Sequence, residues 1–306
     1  MIENANSSKE AEKEENKAPE NANNPPPVVV EDQEAAKDQV NNKMSAEKAI
    51  IGKKMVELST ILTIIISLPL IFMAVWLLYM KGFDCENLLR MQDLQVGISW
   101  FMIAIFLVSN ALVFFRARFP IPGLLLVVVP LLVMFIVGLA LVGTYKLESR
   151  TIKGSPMWFK SKVYEHDLWN EIESCLYHDS EGCSDVIQNS MTLKSDDLPT
   201  TRFSAIKSGC CRPPKKCGMD YVNATFWLKK NGAMDGSNTH DPDCDLWEND
   251  ETIMCYNCNS CKQGFYTTLN SKWWRLGVFL VSMAVFLIVS HLLLFFSTML
   301  ERYNQI

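Results

Sequence analysis

Four long runs of this chain contain no Asp, Glu, Lys or Arg: residues 58–80, 96–115, 124–145 and 276–300. Each is at least 20 residues long. A helix rising 1.5 Å per residue needs about 20 apolar residues to cross a hydrocarbon core of about 30 Å. Buried core helices of a soluble protein do not come four at a time at this length. The expected fold class is therefore an all-α membrane protein with four transmembrane helices. The first 30 residues are acidic and polar with no apolar core, so the first span is expected to act as its own insertion signal.

Charge narrows the possible partners. Residues 1–50 carry eleven acidic residues and six lysines, a balance of −5 that equals the net charge of the whole chain. The remaining residues are formally neutral, which argues against nucleic acid, whose phosphates demand clustered positive charge. The tail is rich in Glu, Asn, Lys and Pro and holds Pro25-Pro26-Pro27, so residues 1–57 are read as a disordered acidic cytosolic tail.

The side of the membrane follows mainly from cysteine. All ten cysteines lie between Cys85 and Cys261 and outside the apolar runs. Thiols segregated to one face fit an oxidising exterior or lumen. Asn223-Ala224-Thr225 is an acceptor sequon on that same face, whereas Asn6-Ser7-Ser8 falls on the other. Basic residues flank both faces almost equally and decide little. Trp76, Tyr79, Trp100, Tyr145, Trp273 and Trp274 all fall at the cysteine-side ends of the spans, where amphipathic rings prefer to sit. Both termini are expected in the cytosol. Residues 81–95 then form a small extracellular loop, 116–123 a cytosolic loop, 146–275 a large extracellular loop, and 301–306 a cytosolic tail.

Within the large loop, Phe159, Val163, Leu168, Ile172, Cys175 and Leu176 recur at helical spacing, so residues 146–176 are expected to rise as a helix from the third span. Gly154-Ser155-Pro156 should interrupt it. Residues 263–274 should return as a helix into the fourth span. Irregular, Gly- and Pro-punctuated chain lies between.

The cysteines Cys85, Cys175, Cys183, Cys210, Cys211, Cys217, Cys244, Cys255, Cys258 and Cys261 are candidate disulfide partners. Ten cysteines allow on the order of a thousand pairings. One is excluded: adjacent Cys210 and Cys211 have Cα atoms about 3.8 Å apart, short of the usual disulfide minimum of about 4.4 Å. They must point to different partners. Cys255-x2-Cys258-x2-Cys261 also admits a structural zinc site or a redox pair, although an exterior compartment favours disulfides.

Small residues recur every seven positions in two spans: Thr60, Ser67 and Ala74 in the first, Gly97, Ala104 and Ala111 in the second. Such stripes let two helices approach closely at a shallow crossing. His291 is the lone ionisable side chain inside a span and is expected to hydrogen-bond a neighbouring helix. Tyr303 and Ile306 fit a tyrosine-based sorting signal.

Four spans, a short first loop, a large second loop and Gly209-Cys210-Cys211 together resemble the tetraspanins. Gly209-Cys210-Cys211-Arg212-Pro213-Pro214, Asp84-Cys85 and Cys255-Tyr256-x-Cys258-x-x-Cys261-Lys262 resemble the plant branch. The resemblance covers about residues 51–300. It implies a disulfide-rich, mostly helical large loop and a non-enzymatic scaffold that gathers partner proteins into membrane microdomains, in cell–cell signalling or cell differentiation. The implied partners are the membrane and other membrane proteins, through homo- and hetero-association, with no cofactor, metal, catalytic residue or small-molecule substrate. The implied location is the plasma membrane or an endomembrane. The chain departs from the family in lacking juxtamembrane cytosolic cysteines, so S-palmitoylation is not expected. The alternative reading, a transporter or channel subunit, would call for ionisable residues or broken helices at midplane.

Overall fold

A computed structural model describes residues 31–79, 84–115, 120–143, 151–178, 182–188, 203–229 and 241–303. The chain divides into two units, residues 1–48 and 49–306. The first is helical from Glu31 onward, as the start of α1 (Glu31–Tyr79). This corrects the expected disorder for residues 31–57. From Glu31 to Ile51 neither Gly nor Pro interrupts the chain, and Ala, Glu, Gln and Lys are strong helix formers. The more N-terminal part of the tail lies outside the described residues.

In the second unit, α1 continues to Tyr79, followed by α2 (Met91–Phe115), α3 (Pro120–Val142) and, at the end of the chain, α9 (Asn259–Tyr303). All four are long and apolar enough to cross a membrane. The first, second and fourth spans turn polar side chains inward. In α1 the buried positions Val56, Thr63, Ser67, Leu70, Ala74 and Leu77 fall on a seven-residue repeat, and α9 continues the pattern with Leu280, Ala284, Leu287, His291 and Leu294. Hydroxyl and amide groups fasten the helices. Thr63 and Ser290 share a hydrogen bond of 2.6 Å, and Ser59 and Ser297 one of 3.2 Å. The amide of Asn110 donates to the Ser67 hydroxyl (3.1 Å), and that of Gln95 to the Leu77 carbonyl. In hydrocarbon the alternative for each group is an unmet hydrogen bond.

The backbones of α3 and α9 come into direct contact where the two spans cross. A Cβ on Gly138 would lie 2.9 Å from the Gly277 carbonyl oxygen, and one on Gly277 would lie 2.8 Å from the Gly138 carbonyl oxygen.

Between α3 and α9 the chain builds a separate head. The break expected at Gly154-Ser155-Pro156 is present: among the described residues, 151–155 are turn rather than helix. Helix α3 stops at Gly143, whose φ of +85° suits glycine and whose N–H bonds the Leu139 and Ala140 carbonyls. Helix starts again at Pro156, with Ser155 as N-cap accepting from the Trp158 N–H. The head then comprises α4 (Pro156–Val163), α5 (His166–His178), α6 (Ser184–Gln188) and α7 (Ala205–Cys210), a hairpin of β1 (Asp220–Tyr221) and β2 (Trp227–Leu228), and α8 (Asp243–Leu246). The strands are antiparallel, with Asp220 opposite Leu228 and Tyr221 opposite Trp227. Residues 144–150 lie outside the described set.

Phe159, Val163, Trp169, Ile172 and Leu176 form the inward stripe of α4 and α5 and are fully buried. They pack on Phe265, Leu269 and Trp273 of α9. Trp169 meets Phe265 edge-on at 6.1 Å, and Phe159 meets Trp273 at 6.3 Å. Helix α9 thus serves as both the core of the head and the fourth span.

A candidate functional site: the disulfide-knotted head

The head is organised around the pair Cys210 and Cys211. Helix α7 is capped by Ser204, whose hydroxyl accepts from the Lys207 N–H, and runs along the first turns of α9. The two backbones touch. A Cβ on Gly209 would fall 2.2 Å from the Ser260 carbonyl oxygen, and one on Gly264 would fall 2.3 Å from that of Ala205. No side chain fits at either point, so both positions require glycine. Beside this contact Cys210 is bonded to Cys261, with Cα atoms 4.3 Å apart. The Ser260 hydroxyl donates to the Gly209 carbonyl, and the Cys255 N–H to that of Cys210. One residue later α7 has ended, and Cys211 points the other way, to Cys183 beside α6. Arg212 folds back to donate to the Ser208 carbonyl and hydroxyl. Glycine followed by two cysteines thereby ties α7 to two different elements at one place.

Three further disulfides complete the head. Cys85 bonds Cys175 on α5, Cys217 bonds Cys244 on α8, and Cys255 bonds Cys258. With its sulfurs in a disulfide, the Cys255–Cys258 pair offers no thiolate to zinc. Among the described residues no three His, Cys, Asp or Glu side chains converge as a metal site.

Two buried carboxylates hold the head together without disulfides. Asp243 is 3% exposed and accepts from the N–H groups of Asn259 and Ser260, both at 2.8 Å. It caps α9 from a distant part of the chain, where the helix dipole favours an anion. Glu86, 2% exposed, sits in the short 3-10 turn Asp84–Leu89 between α1 and α2. One of its oxygens pairs with the Lys272 ammonium at 2.5 Å, and the other accepts from the Trp273 indole N–H at 3.0 Å. With Cys85–Cys175 this clamps the small loop beneath the head. Trp273 therefore departs from the expected aromatic belt, because it is buried, whereas Trp76, Trp100 and Trp274 are exposed.

Burial also sets the ionisation of the head's aromatic core. The phenol of Tyr256 is pushed up to about 12 by desolvation. Burial raises the carboxyl of Glu173 on α5 as well, against the pull of nearby Lys262, which itself stacks 5.5 Å from the Trp169 ring.

The remaining sequence candidates separate. Asn223 lies at the tip of the β1–β2 hairpin. Its side-chain oxygen accepts from the Thr225 N–H and hydroxyl and from the Phe226 N–H, and its amide nitrogen makes no hydrogen bond among the described residues. In the first span, Ser67 and Ala74 are fully buried and Thr60 is half-buried. In the second, Gly97, Ala104 and Ala111 all face outward, and nothing lies within 4 Å of a Cβ built on Gly97. Within the chain, then, the stripe of the first span is packed and that of the second is uncovered. Helix α2 buries Gln95, Ser99, Met102, Ile105 and Ser109 instead. His291 is 6% exposed, and neither ring nitrogen has a hydrogen-bond partner among the described residues, against expectation. Tyr303 is exposed at the end of α9, and Ile306 lies outside the described residues.

Sequence reasoning did not single out Glu86, Asp243, Asn110, Gly138 or Gly277. The only signal for Glu86 was a charge next to a cysteine in a short loop, which many surface loops share.

Four spans, one clamped small loop and one disulfide-knotted head between the third and fourth spans define a multi-pass membrane protein built to present a rigid head. The sequence pattern described as the Tetraspanin family matches residues 53–302. Among curated proteins the chain is 41% identical to Tetraspanin-15 of Arabidopsis thaliana, over 80% of each chain. It is 29% identical to Tetraspanin-2 of the same plant, over 78% of this chain and 89% of the relative. It is 33% identical to Protein TORNADO 2, also from Arabidopsis thaliana, over 44% of this chain and 48% of the relative. No solved structure matches. The chain belongs to the tetraspanin family, with the features of a plant-type member, and that membership supports a membrane scaffold role.

Proposed function

We propose that this protein is a non-enzymatic scaffold whose head contacts other membrane proteins, and whose spans associate laterally with copies of itself and with those partners. The head faces the exterior or lumen, both termini face the cytosol, and Asn223 carries the glycan. The protein resides in the plasma membrane or an endomembrane and acts in cell–cell signalling or cell differentiation. The observation that carries the reading is the head itself. Disulfides and buried carboxylates fix its core, while Val222, Phe226 and Leu228 on the hairpin and Ile253 further along the head stay exposed, as a preorganised binding surface requires. The oxygen of Asn223 is held in its turn and its nitrogen is left open, which suits glycan transfer. Proximity labelling from a ligase fused to the full-length chain tests the reading. Replacing Val222, Phe226 and Leu228 by Asp is expected to remove most labelled membrane proteins while surface delivery persists. An unchanged set of labelled proteins counts against it.

A further inference from the structure

One face of α9 is polar where the helix leaves the head and enters the membrane. Thr268, Ser271, Lys272 and Arg275 follow each other at i, i+3, i+4 and i+7, so they share one stripe. That stripe forms one wall of a pocket of about 500 Å³, closed on the other side by Met73 and Trp76 of α1 and by Gln95 of α2. Arg275 immediately precedes the apolar run 276–300, and Trp76 lies one turn from the end of α1, so the pocket sits at the level of the lipid headgroups. Its volume is within the usual range for a small-molecule site.

The charges lining it do not cancel. Lys272 is paired with Glu86. Arg275 is exposed and has no ion-pair or hydrogen-bond partner among the described residues, nor has the Ser271 hydroxyl. Among the described residues, Lys272 and Arg275 are the only ionisable side chains in the lining, so the pocket presents one uncompensated positive charge, a hydroxyl beside it and apolar walls that continue into the membrane. A guanidinium favours a phosphate in a forked geometry.

We propose that this pocket binds a phospholipid of the head-side leaflet whose headgroup is a phosphate ester of a polyol with a net charge of −1. Its phosphate meets Arg275, its headgroup hydroxyls meet Ser271, and an acyl chain descends along Met73 and Leu276. The lipid would wedge α1 against the base of the head and make that contact responsive to membrane composition.

The test uses the full-length protein in phosphatidylcholine nanodiscs containing a minority of phosphatidylglycerol, followed by native mass spectrometry of retained lipid. Phosphatidylglycerol is expected to be retained in preference to phosphatidylcholine. Arg275→Gln should lower that preference about tenfold, the scale of one charge-assisted hydrogen bond, and Arg275→Lys, which keeps the charge but loses the fork, should fall between Arg275→Gln and the unmodified protein. Ser271→Phe, which fills the pocket and leaves Arg275 in place, should abolish retention. Excess soluble glycerol phosphate should not displace the lipid. Equal retention of the two lipids by the unmodified protein would overturn the proposal, and that comparison requires no variant. Undiminished preference in Arg275→Gln, or displacement by glycerol phosphate, would overturn it as well.

Discussion

Gly138 of α3 and Gly277 of α9 meet backbone to backbone, each standing where a Cβ on the other would strike its carbonyl oxygen at under 3 Å. This contact sets the spacing of the third and fourth spans and therefore the angle at which α9 rises into the head. In hydrocarbon, helices gain little by hiding apolar surface from lipid, so close packing of small residues and shared hydrogen bonds do the joining.

Gly138→Val or Gly277→Val should therefore lower stability by about 1–3 kcal/mol through overpacking. Gly97→Ala on the outward face of α2 should leave it unchanged or raise it slightly, because the added methyl meets nothing and the helix prefers alanine. Thermal unfolding of the purified protein in detergent separates the two cases. Equal effects at Gly97 and Gly138 would contradict the assigned faces.

Cys183 and Cys211 should behave as one unit. Loss of a native disulfide from a small exterior domain costs about 2–5 kcal/mol. Cys211→Ser and Cys183→Ser should each reduce surface delivery, and the double variant should be no worse than either. Adding Cys210→Ser to Cys211→Ser should be clearly worse, since it breaks a second bond. Additive losses for Cys183 and Cys211 would show that they have other partners.

Replacing Glu86 by Ala leaves a buried indole N–H without an acceptor and frees the Lys272 ammonium. The expected loss is about 1–3 kcal/mol, dominated by the unmet indole group because Lys272 is partly exposed. A double-mutant cycle of Glu86→Ala with Trp273→Phe should recover part of that loss. Independent, additive effects would mean that the clamp does not form.

Tyr256 makes the head sensitive to alkali. Its phenol is raised from 10 to about 12 in the folded head, so the folded state holds a proton that the unfolded chain releases near pH 10. The associated stability is fully present below pH 10 and is lost as the pH climbs toward 12. Unfolding should be monitored together with phenolate absorbance. Tyr256→Phe should shift alkaline unfolding to higher pH, and an unchanged midpoint would refute this role for Tyr256.

The linear order of residues determined the four spans, the small loop and the cysteine-rich segment between the third and fourth spans. Each is a property of contiguous chain: a run long enough to cross a bilayer, or a clustering of one residue type. Adjacency alone likewise required Cys210 and Cys211 to seek separate partners. Only the tertiary structure decided which partners, because the Cys210–Cys261 bond, across a sequence separation of 51, depends on α7 lying against α9, a contact that the missing side chains of Gly209 and Gly264 permit. The same holds for the faces of the spans. The repeat of Gly97, Ala104 and Ala111 marks a stripe but not what covers it, and α2 turned Gln95, Ser99 and Ser109 inward instead. In a membrane the lipid satisfies apolar side chains but not polar ones, so Gln95 turns to a partner on a neighbouring helix, the Leu77 carbonyl of α1, which its own span does not contain.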